Sequence, residues 1–106
     1  MPVRRFSRFL RLCGLCLAAV FIVAGCSTPR KGEKLFFRQG CSQCHSFQGR
    51  GGNMGPDLSA VINSRGAAWV DRYLQDPKKI NRLSRMPSFQ HLSRRQRRAV
   101  IAFLKQ

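Results

Sequence analysis

Beyond residue 45 the chain contains no cysteine, and the only histidine there is His91. A structural zinc site needs a second ligand pair, and none occurs downstream. The uncharged, mostly apolar stretch from Leu12 to Gly25 is 14 residues long, short of the about 20 that a membrane-spanning helix needs. Strand-like alternation is absent and so is any internal repeat, which leaves neither a sheet protein nor a repeat array. Negative charge is scarce as well. Four Asp and Glu stand against 20 Lys and Arg, for a formal net charge of +16.

What the chain does have is concentrated between residues 41 and 45. In Cys41-Ser42-Gln43-Cys44-His45, two thiols three positions apart can add to the two vinyl groups of one haem. The adjacent imidazole is then placed to ligate the iron from one side. This is the C-x-x-C-H attachment pattern of a c-type haem. A redox dithiol has no need of the histidine.

The N-terminal segment has the layout of an export signal. Arg4, Arg5, Arg8 and Arg11 form a positive region, followed by the apolar stretch that ends in Val23-Ala24-Gly25-Cys26. That ending resembles the lipobox of bacterial lipoproteins. The resemblance implies that residues 1–25 are removed and that Cys26 carries a diacylglyceryl group. Cys13 and Cys16 share the C-x-x-C spacing but precede no histidine and leave with the signal. Cys26 then takes lipid, Cys41 and Cys44 take haem, and no cysteine is left over.

Cleavage leaves 81 of the 106 residues, enough for one small domain with only a modest core. A large, flat, mostly apolar ligand would complete such a core, so the chain without haem should be poorly folded. Residues 26–31 read as a short polar tether to a domain at 32–106. Gly32 to Gln39 reads as helix, with Gly40 as its stop. Residues 46–66, rich in glycine, read as loop. Ala67 to Gln75 forms a second helix, because Trp69 and Tyr73, and Val70 and Leu74, recur four apart and Pro77 bars continuation. Lys78 to Leu92 reads as loop again. The last helix opens at Ser93, whose partner Gln96 completes a capping box, and runs through Ala99, Val100, Phe103 and Leu104. The fold class expected is all-α, with three main helices and long glycine-rich loops around one covalent haem.

With these pieces in order, Gly32 to Leu104 resembles a small bacterial class I cytochrome c with one haem. Gly32 and Phe36 match the first helix, and Cys41, Cys44 and His45 match the attachment site. Gly55-Pro56-Asp57-Leu58 is similar to the G-P-x-L loop; Trp69, Tyr73, Leu74 and Pro77 to the W-x-x-x-[YL]-L-x-x-P helix; and Met86-Pro87 to the distal-ligand motif. The resemblance implies that the Pro56 carbonyl holds the ring N–H of the proximal His45, that Met86 is the distal ligand, and that Trp69 packs near the haem and can donate to a propionate. A thioether is a soft, neutral ligand that favours ferrous iron and raises the potential. Two strong axial ligands leave no position for a substrate, which points to electron transfer and away from an enzyme.

Two other side chains compete for the distal position. Met54 is nine residues past His45 and reads better as a loop residue, whereas Met86 is 41 residues past it, enough chain to cross the haem. His91 could bind iron if Met86 swung away. Charge remains +12 or so after the signal's four arginines are removed, with Arg82, Arg85, Arg94, Arg95, Arg97 and Arg98 crowding the last quarter. That crowd reads as a docking face for an acidic redox partner, as a contact with anionic lipid beside the anchor, or as a solvated basic surface. Nucleic acid would suit the charge alone, but an exported lipoprotein meets none. The expected protein is a lipid-anchored single-electron carrier on the periplasmic side. Ser27, where an inner-membrane retention signal would have Asp, leans towards the outer membrane. The alternative is a haem-bearing subunit, or a redox or gas sensor module, of a larger membrane complex.

Overall fold

The computed structural model describes residues 28–106. The segment read as an export signal, with Cys26, lies outside them. Six helices follow in order: α1 (Thr28–Arg38), α2 (Cys41–Cys44), α3 (Val61–Arg65), α4 (Ala67–Gln75), α5 (Pro77–Ile80) and α6 (Arg94–Leu104). Between α2 and α3 a small antiparallel hairpin pairs β1 (Ser46–Phe47) with β2 (Arg50–Gly51). No described helix is long and apolar enough to cross a membrane.

The packing of α1 on α6 frames the domain, and Gly32 makes it possible. A Cβ at residue 32 would lie 1.9 Å from the Ala99 carbonyl oxygen, so only glycine lets the two backbones approach this closely. One turn on, Phe36 is fully buried and meets Phe103 at 5.4 Å between ring centroids, while Phe47 meets Phe103 at 4.8 Å. Such tilted aromatic pairs add about 0.5–1.5 kcal/mol each beyond their buried area. The capping box opens α6 as expected: Gln96 N–H donates to Ser93 Oγ at 3.2 Å and Ser93 N–H donates to Gln96 Oε1 at 2.8 Å.

The buried side chains form two clusters instead of one. Phe36, Phe47, Val100, Phe103 and Leu104 make the first. Val70, Leu74, Phe89, Leu92 and Ile101 make the second. Helix α6 contributes to both, through Val100 and Leu104 on one side and Ile101 on the other. A core divided in this way lacks the side chains to close on itself, in a chain whose size already limits burial.

The structure departs from the sequence reading at five places. Helix α1 starts at Thr28, four residues before the expected Gly32, and so takes in most of the expected polar tether. Pro29 is tolerated in a first turn, where its missing N–H has no intrahelical acceptor to lose. The stretch 46–66 holds a hairpin and α3. The turn residues Gln48 and Gly49 both have positive φ (50° and 76°), the geometry of a type I′ turn, which needs no apolar alternation to be stable. Helix α5 occupies the start of the expected loop at 78–92, because Asp76 caps it by accepting from Lys79 N–H and Pro77 suits its first position. The fifth departure concerns Arg97, read as part of an exposed basic cluster. It is buried, pairs with Asp71 through Nε at 2.8 Å, and donates from Nη1 to the Leu92 carbonyl at 2.6 Å. Arg97 thus ties α6 to α4 and to the loop before α6. It lies three and four residues before Val100 and Ile101, on the stripe that faces inward.

Candidate functional site

The space between the two clusters is a cavity of about 1,100 Å³, just above the usual range of about 300–1,000 Å³ for ligand sites. Phe36, Val100 and Leu104 line it from the first cluster, and Val70, Leu74 and Phe89 from the second. Cys41, Cys44, His45, Pro56, Trp69 and Met86 all reach it.

His45 is the best-defined of these. Its side chain is buried, and Nδ1 lies 2.7 Å from the Pro56 carbonyl oxygen. A carbonyl only accepts, so Nδ1 carries the proton and the neutral ring's lone pair is on Nε2. No protein group among the described residues bonds Nε2. The loop carrying Pro56 is pinned to the motif by backbone bonds from Gly55 N–H to the Cys44 carbonyl (2.7 Å) and from Leu58 N–H to the Ser46 carbonyl (2.8 Å). A Cβ at residue 55 would fall 2.4 Å from His45 Cε1 and 2.6 Å from Nδ1, so the ring fills the space that any larger residue would need. Asp57 completes the brace by accepting from Ser46 Oγ at 2.5 Å and from Ser59 N–H at 2.8 Å. Those bonds, that of Ser46 foremost, hold its carboxyl below the usual carboxylate range although it is fully exposed.

Cys41 and Cys44 lie on the single turn of α2, both half-buried. Burial pushes the Cys41 thiol up, its own backbone N–H opposes this, and the neighbouring Cys44 adds to it. Cys41 is therefore a neutral thiol at neutral pH. The attacking cysteine of a dithiol oxidoreductase is the reverse, with its pKa lowered. A zinc site would need more donors than this, and among the described residues no three His, Cys, Asp or Glu side chains gather.

The three competing sulfur and imidazole side chains are placed differently. Met86 is half-buried at the cavity, and its N–H donates to Ser84 Oγ at 3.3 Å. Tyr73 Oη also donates to Ser84 Oγ, at 3.1 Å, so α4 steadies the loop that carries Met86. Nothing local to Tyr73 in the sequence signals a hydroxyl partner 11 residues on. Met54 touches the cavity but is 82 % exposed, one residue before Gly55 on the loop that braces His45. His91 is outside the cavity lining, exposed, with Nε2 2.9 Å from Gln39 Oε1. Trp69 stacks on Tyr73 at 4.7 Å and carries the Arg65 guanidinium 5.1 Å over its ring.

The residues present fit a haem. The cavity is large and mostly apolar, two thiols lie at its edge, an imidazole with a fixed tautomer offers Nε2, and a thioether reaches the same space. The family comparison points the same way. The family model for cytochrome c matches residues 29–106, nearly all of the described chain, and the protein belongs to that family. It is a mostly helical, electron-carrying protein with one covalently bound c-type haem. No solved structure matches the chain.

Proposed function

We propose that Cys41 and Cys44 would hold the haem through thioether bonds, that His45 Nε2 and the Met86 thioether would ligate its iron, and that the protein passes single electrons between partners at the periplasmic side of a membrane. The observation that carries this is the His45–Pro56 bond, which leaves Nε2 as the lone-pair nitrogen beside a cavity that Met86 also reaches. When bound, the haem supplies a reversible one-electron couple.

The chain's own residues do the rest. Pro56 fixes the imidazole plane and raises its basicity, and Gly55 leaves the ring room to adopt it. Ser84 and Tyr73 hold the Met86 segment. Trp69 lines the same space and serves as a propionate partner or wall. The two apolar clusters wall the cavity from either side. Met86 is preferred to His91 because His91 is outside the cavity lining and engaged by Gln39, and to Met54 because that residue belongs to the loop that braces His45.

Export and anchoring follow from the sequence. Residues 1–25 direct export, and lipid on Cys26 anchors the protein, with the outer membrane favoured. Acidic redox proteins are the partners, docking at Arg94, Arg95 and Arg98, which are exposed at the start of α6; Arg97 is excluded because it faces Asp71. The reduced holoprotein should follow a one-electron Nernst curve and show no spectral change under carbon monoxide. Rapid carbon monoxide binding would instead identify a gas-sensing module.

A further inference from the structure

The solvent side of α1 is unlike the rest of the surface in one respect: it combines cations with an exposed aromatic ring. Gly32 and Phe36 turn inward and Leu35 is half-buried. At 3.6 residues per turn, Arg30, Lys34, Phe37 and Arg38 fall on the opposite side, within an arc of about 100°. All four are exposed, and Phe37 keeps 51 % of its surface in solvent. Its ring meets Phe36 edge-on at 5.6 Å between centroids. The one ion pair among the described residues is Arg97–Asp71, so no carboxylate neutralises the three cations. Glu33, the helix's single acidic residue, lies beyond the edge of the arc.

We propose that this face of α1 is a membrane-contact surface that rests on anionic phospholipid headgroups. The proposal builds on the reading of Cys26 as the lipidated residue. Helix α1 begins at Thr28, two positions after Cys26. Two residues reach at most about 7 Å, within the screening length of about 8 Å at physiological salt. A lipid on Cys26 would therefore place the first turn of α1 inside the electrostatic field of the headgroups. Basic residues there are attracted to anionic lipid, and an exposed phenyl ring between them adds the apolar contact of an interfacial helix. An acidic protein would match the charge but has no comparable use for Phe37 beside the anchor. The early start of α1 turns a loose tether into a short leash, so the bilayer fixes how the domain is presented to its partners.

The test is lysine acetylation of the holoprotein in vesicles, read by mass spectrometry. Lys34 lies on the proposed face, and the exposed Lys78 and Lys79 on α5 serve as controls. In phosphatidylglycerol-containing vesicles Lys34 should be acetylated several-fold more slowly than in pure phosphatidylcholine vesicles, while Lys78 and Lys79 are unchanged. Raising salt to about 1 M, where the screening length is about 3 Å, should abolish the difference. The triple change Arg30→Gln, Phe37→Ser and Arg38→Gln should also abolish it, with the haem spectrum intact as evidence of folding. Equal Lys34 labelling in the two vesicle types overturns the proposal, as does protection that appears only when an acidic protein is added. The anchor is read separately, by intact mass and by flotation with neutral vesicles in high salt. Loss of flotation with Lys34 still protected on anionic vesicles removes the anchor and keeps the surface.

Discussion

Met86→Ala is expected to lower the reduction potential by on the order of 0.1–0.2 V, within the range of about 0.8 V over which axial ligands tune haem proteins. The sign follows from ligand softness. A thioether stabilises ferrous iron more than ferric, so removing it weakens the reduced state more. The weak near-infrared band that marks a ferric thioether bond should vanish, and the ferrous protein should now bind carbon monoxide. Spectroelectrochemistry of three variants separates the candidates. Met54→Ala should leave both potential and band in place, because Met54 is 82 % exposed on the loop that braces His45. His91→Ala should do the same, because His91 is engaged by Gln39. Should the band follow Met54, or should the band be missing from the parent protein and the potential change with His91→Ala, the distal assignment is wrong.

Gly32→Ala should be among the most destabilising single-methyl additions in the chain. The new Cβ would sit 1.9 Å from the Ala99 carbonyl oxygen and 2.9 Å from Phe103 Cβ. The nearest obstacle is backbone within α6, so no side-chain rotation relieves it and the helices must move apart. Overpacking of this kind costs about 1–3 kcal/mol, sometimes more, and here the upper end applies because the displacement also loosens Phe36 from Phe103. Against a typical total of about 5–15 kcal/mol, that is a large share. Urea denaturation followed by haem absorbance measures it. Glu33→Ala, one position away and exposed, should stay within about 0.5 kcal/mol. If the two variants unfold at the same urea concentration, the close crossing of α1 and α6 is not what holds the domain together.

Local signals in the sequence were strong enough to place the main helices. Helix α4 runs from Ala67 to Gln75 as its four-residue spacing and Pro77 implied, and Ser93 and Gln96 mark the start of α6. The attachment motif and the Gly55-Pro56 pair were legible too, since each is contiguous. Features that depend on distant partners were not. Arg97 read as one more surface charge because Asp71 is 26 residues away. The hydroxyl link from Tyr73 through Ser84 to the Met86 segment joins two regions that carry no shared pattern. The hairpin and the short helices α3 and α5 escaped because two to five residues hold no usable periodicity. Their stability comes from turn geometry, capping and the cavity wall they complete. The start of α1 was missed for a different reason: Arg30 and Lys31 in its first turn face solvent, and polarity alone reads as tether.

The most direct test of the central claim is mass spectrometry of the mature protein under denaturing conditions. The account predicts a polypeptide that retains the mass of one haem after acid and organic solvent, with the addition on the peptide containing Cys41 and Cys44. A polypeptide that gives up its haem to the solvent, leaving both cysteines as free thiols, would contradict it.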